Sequence, residues 1–105
     1  MVNMIKVKIK KEGSNYRQIN VIGHAMYDDY GKDIVCSAAS SIMTTTVNGI
    51  LSFDQTYITY QEEKDRFTII INYYNTIVNN LIDNMIRMFK ELEGDYPDNI
   101  KIEEE

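Results

Sequence analysis

Residues 4–23 read Met4-Ile5-Lys6-Val7-Lys8-Ile9-Lys10-Lys11-Glu12-Gly13-Ser14-Asn15-Tyr16-Arg17-Gln18-Ile19-Asn20-Val21-Ile22-Gly23. Ile5, Val7 and Ile9 alternate with lysines, the period of two that leaves one side of a strand dry and the other wet. Residues 11–15 mark a turn, because Gly13 and Asn15 tolerate positive φ. A second strand over residues 16–23 then sends Ile19 and Val21 inward, most simply as a hairpin with the first. Such a hairpin needs a cover for its apolar side, and the rest of the chain supplies one.

Asp33 is expected to open a helix as its N-cap, accepting from the N–H of Cys36. Val35, Ala38, Ala39, Ile42, Met43, Val47 and Ile50 then recur at helical spacing as a buried stripe. Gly49 is a cost of about 1 kcal/mol in a helix interior, expected to be offset by close packing. Residues 55–62 and 66–74 predict two more strands around Glu63-Lys64-Asp65, with Phe67, Ile69, Ile71 and Tyr73 on one apolar side. Asn75 caps a second helix carrying Val78, Leu81, Ile82, Met85, Phe89 and Leu92. Gly94 ends that helix, Pro97 follows, and residues 99–103 add a last strand. The expectation is an α+β fold in the order ββαββαβ. It has a mainly antiparallel sheet with two helices on one face, and one domain spans residues 1–105.

The 105 residues are 44% hydrophobic and 26% charged, ordinary values for a folded chain with a thin core. The net charge of −5 argues against nucleic acid as the principal ligand and favours a basic partner. Lys6, Lys8, Lys10 and Lys11 read as the solvated side of the first strand. The lysine-studded start excludes the apolar core of a signal peptide. No apolar run is expected to approach the roughly 18 residues of a membrane span. A lone cysteine suits a reducing compartment, so the expected location is the cytoplasm, without direct nucleic-acid or membrane contact.

The chain has one histidine and one cysteine, and both fall between residues 23 and 40. His24 follows Gly23 at the second strand's end, and Cys36 lies just inside the first helix. A thiol becomes nucleophilic at neutral pH when a base or a positive neighbour favours its thiolate. Imidazole can take the thiol proton and return it to a leaving amine. The start of a capped helix would add unpaired N–H groups and the positive end of the macrodipole. The plainer reading makes Cys36 a small core residue and His24 a satisfied one. Asp33 reads as cap or as histidine orienter. Ser40, one turn beyond Cys36, reads as a donor to thiolate or substrate, or as a helix serine bonding back to a carbonyl. Residues 25–32 read as a loop in which Gly31 allows a bend. Met26, Tyr27 and Tyr30 either form an apolar wall for substrate or pack the loop down. A metal site is not expected, since one histidine and one cysteine fall short of the three or four ligands that zinc takes.

The pattern Gly23-His24-Ala25, a glycine-containing loop, Gly31-Lys32-Asp33-Ile34-Val35-Cys36 and a small-residue run ending at Ser40 resembles the ribosomal-processing cysteine proteases, the Prp family. The resemblance implies an α+β homodimer that needs no cofactor. It makes His24 and Cys36 the catalytic dyad, with Gly23, Asp33 and Ser40 in support. It further implies removal of a short N-terminal extension from ribosomal protein number twenty-seven of the large subunit. Two positions depart from the family pattern. Met26 stands where relatives often have glycine, and Ser37 where alanine is usual. Rival readings are a non-catalytic ribosome-assembly factor binding the same protein, a thiol redox sensor, and an interaction domain with Cys36 in its core.

Overall fold

The computed structural model describes residues 4–23 and 30–105, and for residues 30–33 the backbone alone. The elements are β1 (Ile5–Glu12), β2 (Asn15–Ile22), α1 (Tyr30–Phe53), β3 (Ile58–Glu63), β4 (Arg66–Ile71), α2 (Thr76–Asp95) and β5 (Ile100–Glu104). The order is ββαββαβ, as the hydrophobic periods predict.

The strands form one sheet in the order β3-β4-β2-β1-β5. β1 pairs antiparallel with β2 and parallel with β5, while β4 runs antiparallel to both β2 and β3. The sheet is therefore mainly antiparallel, and the parallel β1–β5 pair is made possible by α2 crossing between β4 and β5. Cross-strand rows keep like with like, as the period of two demands. Ile9, Ile19 and Ile69 share one row, and Val7, Val21 and Phe67 another.

Ile5, Val7, Ile9, Ile19, Val21, Ile69 and Ile100 bury their side chains with the two helices in a single core. α1 contributes Val35, Ala39, Met43, Val47 and Ile50, each three or four residues from the last, so they form one stripe. Ala38 and Ile42, expected in that stripe, flank it half-buried. α2 buries Val78, Ile82, Met85, Ile86 and Phe89, with Leu81 and Leu92 half-buried beside them. The Asn75 side chain accepts from the Val78 N–H at 3.1 Å, the capping bond read from the sequence.

Gly94 does not end α2, which runs on to Asp95 with Tyr96 as its C-cap. Three further expectations are corrected. Tyr73 does not extend the apolar side of β4, because that strand ends at Ile71. The Asn72 N–H donates to the Tyr57 carbonyl at 2.8 Å, and Tyr73 beyond it is exposed. Gly49 is not closely packed, since a Cβ there would meet nothing within 4 Å. The third correction concerns apolar length. Ile34–Phe53 has a mean hydropathy of 1.4 and no charged side chain, so it is long and apolar enough to cross a membrane. In this fold its apolar stripe is buried in the core. Ser37, Ser41, Thr44, Thr45 and Asn48 face outward.

Candidate active site

Cys36 follows Val35, the first residue of the α1 stripe, and sits in the core cluster with 5% of its surface exposed. Ser40 lies one turn further along the same side and is half-buried. Neither residue is without an interaction partner. The helix thus carries sulfur and hydroxyl along one seam between its buried and open sides.

Gly23 ends β2 in a left-handed conformation, with φ of 83°. A Cβ at this position would lie 2.7 Å from the Met4 carbonyl oxygen, closer than van der Waals contact permits. The Gly23 N–H donates to the Asp65 carbonyl at 2.9 Å. The chain therefore leaves the sheet pinned between the start of β1 and the β3–β4 turn, and its next residue is His24. These two anchors are backbone atoms, so no side-chain type in the sequence signals them. His24, Met26 and Tyr27 lie outside the described residues. Tyr30, Gly31 and Asp33 are placed by their backbone within α1.

That placement corrects the capping assignment. The chain is already helical at Tyr30, so Asp33 sits inside the helix instead of preceding it. Aspartate is favoured as a cap and near a helix N-terminus alike, and residues 30–32 have no apolar period to announce helix. Cys36 consequently lies more than one full turn inside the helix. The unpaired N–H groups of a helix belong to its first four residues, and the macrodipole acts mainly within the first turn. The Cys36 N–H is thus committed to the helical ladder and is not the oxyanion donor that a later helix start would supply. The expected loop over residues 25–32 shortens as well, since residues 30–32 are helical and the rest lies outside the described residues. Among the described residues no cluster of three or more His, Cys, Asp or Glu side chains is placed to hold a metal ion.

A family model described as Cysteine protease Prp matches residues 4–101. The chain belongs to this family. The Prp match runs through both the histidine and the cysteine. The Ribosomal processing cysteine protease Prp of Staphylococcus aureus strain Mu50 is 27% identical over 101 residues, covering 93% of this chain and 94% of its own. Among solved structures, S. aureus Prp in complex with a substrate peptide is similar with a TM-score of 0.89 and 24% identity. That likeness covers 97% of this chain and 100% of the other. The Streptococcus mutans protein SMU.848 gives a TM-score of 0.88 at 20% identity, over 97% and 94% of the two chains. These two likenesses show the fold. As a Prp-family member the chain is a cysteine protease, and it has one cysteine.

Proposed function

We propose that this protein is a ribosomal-protein-processing endopeptidase in which Cys36 is the nucleophile and His24 the general acid and base. Its substrate is ribosomal protein number twenty-seven of the large subunit, from which it removes a short N-terminal extension. The observation that carries this reading is the single cysteine of a cysteine-protease-family chain, which lies with His24 inside the family span of residues 4–101.

The chemistry follows from those two groups. His24 accepts the thiol proton, and the thiolate attacks the scissile carbonyl carbon. The tetrahedral adduct collapses with cleavage of the C–N bond as the imidazolium protonates the leaving amine. Water then attacks the Cys36 thioester while His24 takes its proton, and the C–S bond breaks to release the acid. Gly23 holds the backbone next to the base, and Ser40 stands within a turn of the sulfur. The enzyme's acidity suits a basic ribosomal substrate through faster encounter. The uncharged outer side of α1 over Ile34–Phe53 suits a homodimer, and the lone thiol suits the cytoplasm.

Incubation of the protein with a peptide spanning the extension, followed by mass spectrometry, tests the reading. The expected result is a single cut that disappears in Cys36→Ala and His24→Ala while both variants still bind the peptide. Ser40→Ala is expected to slow the cut more mildly. Continued cutting by Cys36→Ala overturns the mechanism, and intact substrate bound to the wild-type chain overturns the activity.

A further inference from the structure

The net charge of −5 averages over a surface that the sheet divides. One sheet face packs against the helices, while the other carries no helix among the described residues. On that second face the register aligns Lys6 with Ile22 and Lys101, and Ile22 with Arg66. Lys8 lies in the row of Asn20, and Lys10 in the row of Gln18. Every outward position of β1 from residue 6 to residue 10 is therefore a lysine, and the neighbouring strand offers two amides. Arg66 and Lys101 extend the positive zone to either side. None of these five cations is in an ion pair among the described residues. The carboxylates on this face stand on the two edge strands, Glu103 opposite Lys8 and Glu63 opposite Arg66, and Glu12 and Glu105 border Lys10 at the rim.

We propose that this open face docks the phosphate backbone of double-stranded RNA. Alternate strand positions repeat about every 7 Å, so the lysines form a linear array suited to a repeated negative charge. Single-stranded RNA is usually held by aromatic side chains that stack on its bases. Here Tyr60 and Phe67 fall in the rows of Ile69 and Val21 on the core face, so among the described residues the strands of the open face present no aromatic platform. Backbone contact with a duplex needs none. Anionic membrane is a poorer match, because the apolar side chains on the basic rows are Ile22 and Ile70, both half-buried within the sheet. The face shares no residue with the thiol site, so the docking stands or falls apart from the proteolytic chemistry.

Fluorescence anisotropy of the full chain with a labelled RNA hairpin of about 20 base pairs, at salt concentrations from about 25 to 200 mM, tests the assignment. The expected result is micromolar binding at the lowest salt. The log–log salt slope should be about −3.6 to −4.5, the release expected for four or five neutralised phosphates. Joint Lys6→Gln, Lys8→Gln and Lys10→Gln substitution should weaken binding at least about tenfold and flatten the slope by about 2.7 units. The pair Arg66→Gln and Lys101→Gln, on different strands, should weaken it in the same direction. Lys90→Gln on α2 should leave it unchanged. Absence of binding by the folded wild-type chain overturns the proposal. So does unchanged binding by both multiple variants with native circular dichroism, or tighter binding to phosphatidylserine vesicles or polyglutamate than to the hairpin.

Discussion

Replacing Gly23 by alanine separates two costs that the structure makes measurable. Gly13 and Gly23 both have positive φ, 63° and 83°. A Cβ at Gly13 would meet nothing within 4 Å, whereas at Gly23 it would lie 2.7 Å from the Met4 carbonyl oxygen. Gly13→Ala therefore carries the left-handed backbone penalty alone, about 1–2 kcal/mol. Gly23→Ala carries that penalty plus displacement of a backbone carbonyl at the start of β1, strain worth about 1–3 kcal/mol more. The expected losses are about 1 kcal/mol for Gly13→Ala and about 3 kcal/mol for Gly23→Ala. In a domain of this size they correspond to falls in Tm of about 5 °C and more than about 12 °C. Urea unfolding followed by circular dichroism gives both numbers, with an unchanged slope showing that the unfolded states are alike. Because Gly23 positions the backbone beside His24, Gly23→Ala should also lower peptide cleavage well below 25 °C, where the variant is still folded. Equal destabilisation by the two substitutions would refute the close approach to Met4 and with it the pinned exit from β2.

Asn75→Ala should cost about 1 kcal/mol by removing the cap on the Val78 N–H, and Asn75→Asp should recover most of it, as read by urea midpoints. Gly49→Ala, at an exposed helical position with open space around it, should stabilise the chain by about 0.5–1 kcal/mol in the same assay. The buried Tyr16 donates its hydroxyl to Asp83 Oδ1 at 2.6 Å, and burial followed by that hydrogen bond raises its pKa far above the ordinary tyrosine value. The unfolded chain then ionises first. The contribution is full below about pH 10 and is lost as pH rises beyond it, so wild-type stability should fall more steeply in that range than that of Tyr16→Phe. Cys36 is 5% exposed, so an inert core thiol would react with iodoacetamide at least about tenfold more slowly than in urea; the proposed activated thiolate instead requires a native rate at pH 7 at least equal to that in urea, slowed when substrate peptide fills the site.

The two-residue alternation in β1 and the three-to-four spacing in α2 were enough to read the element order, because each pattern matches a face buried in one core. The cap at Asn75 was legible for the same local reason. What stayed hidden is what distant segments decide. Nothing in residues 99–104 says that the last strand lies parallel beside the first. Thr68 is buried because β4 lies inside the sheet, where its hydroxyl donates to Asn20 Oδ1 at 2.9 Å. The early start of α1 was missed because Tyr30-Gly31-Lys32 lacks an apolar beat and Gly31 suggests a bend. The His24–Cys36 window was legible as rare chemistry in a short span. The role of Gly23 as a wedge between two backbone carbonyls was not, since its neighbours there are main-chain atoms.

The placement of β5 has a consequence for how such a chain is made. Its Ile100 and Ile102 stand beside Ile5 and Val7, so the oldest strand of a growing polypeptide waits for the youngest. Until residue 104 has left the exit tunnel, β1 offers a bare hydrogen-bonding rim to any passing extended segment, the usual seed of clumping. Once seated, β5 turns outward a border studded with Lys101, Glu103 and Glu104, which discourages another strand from joining.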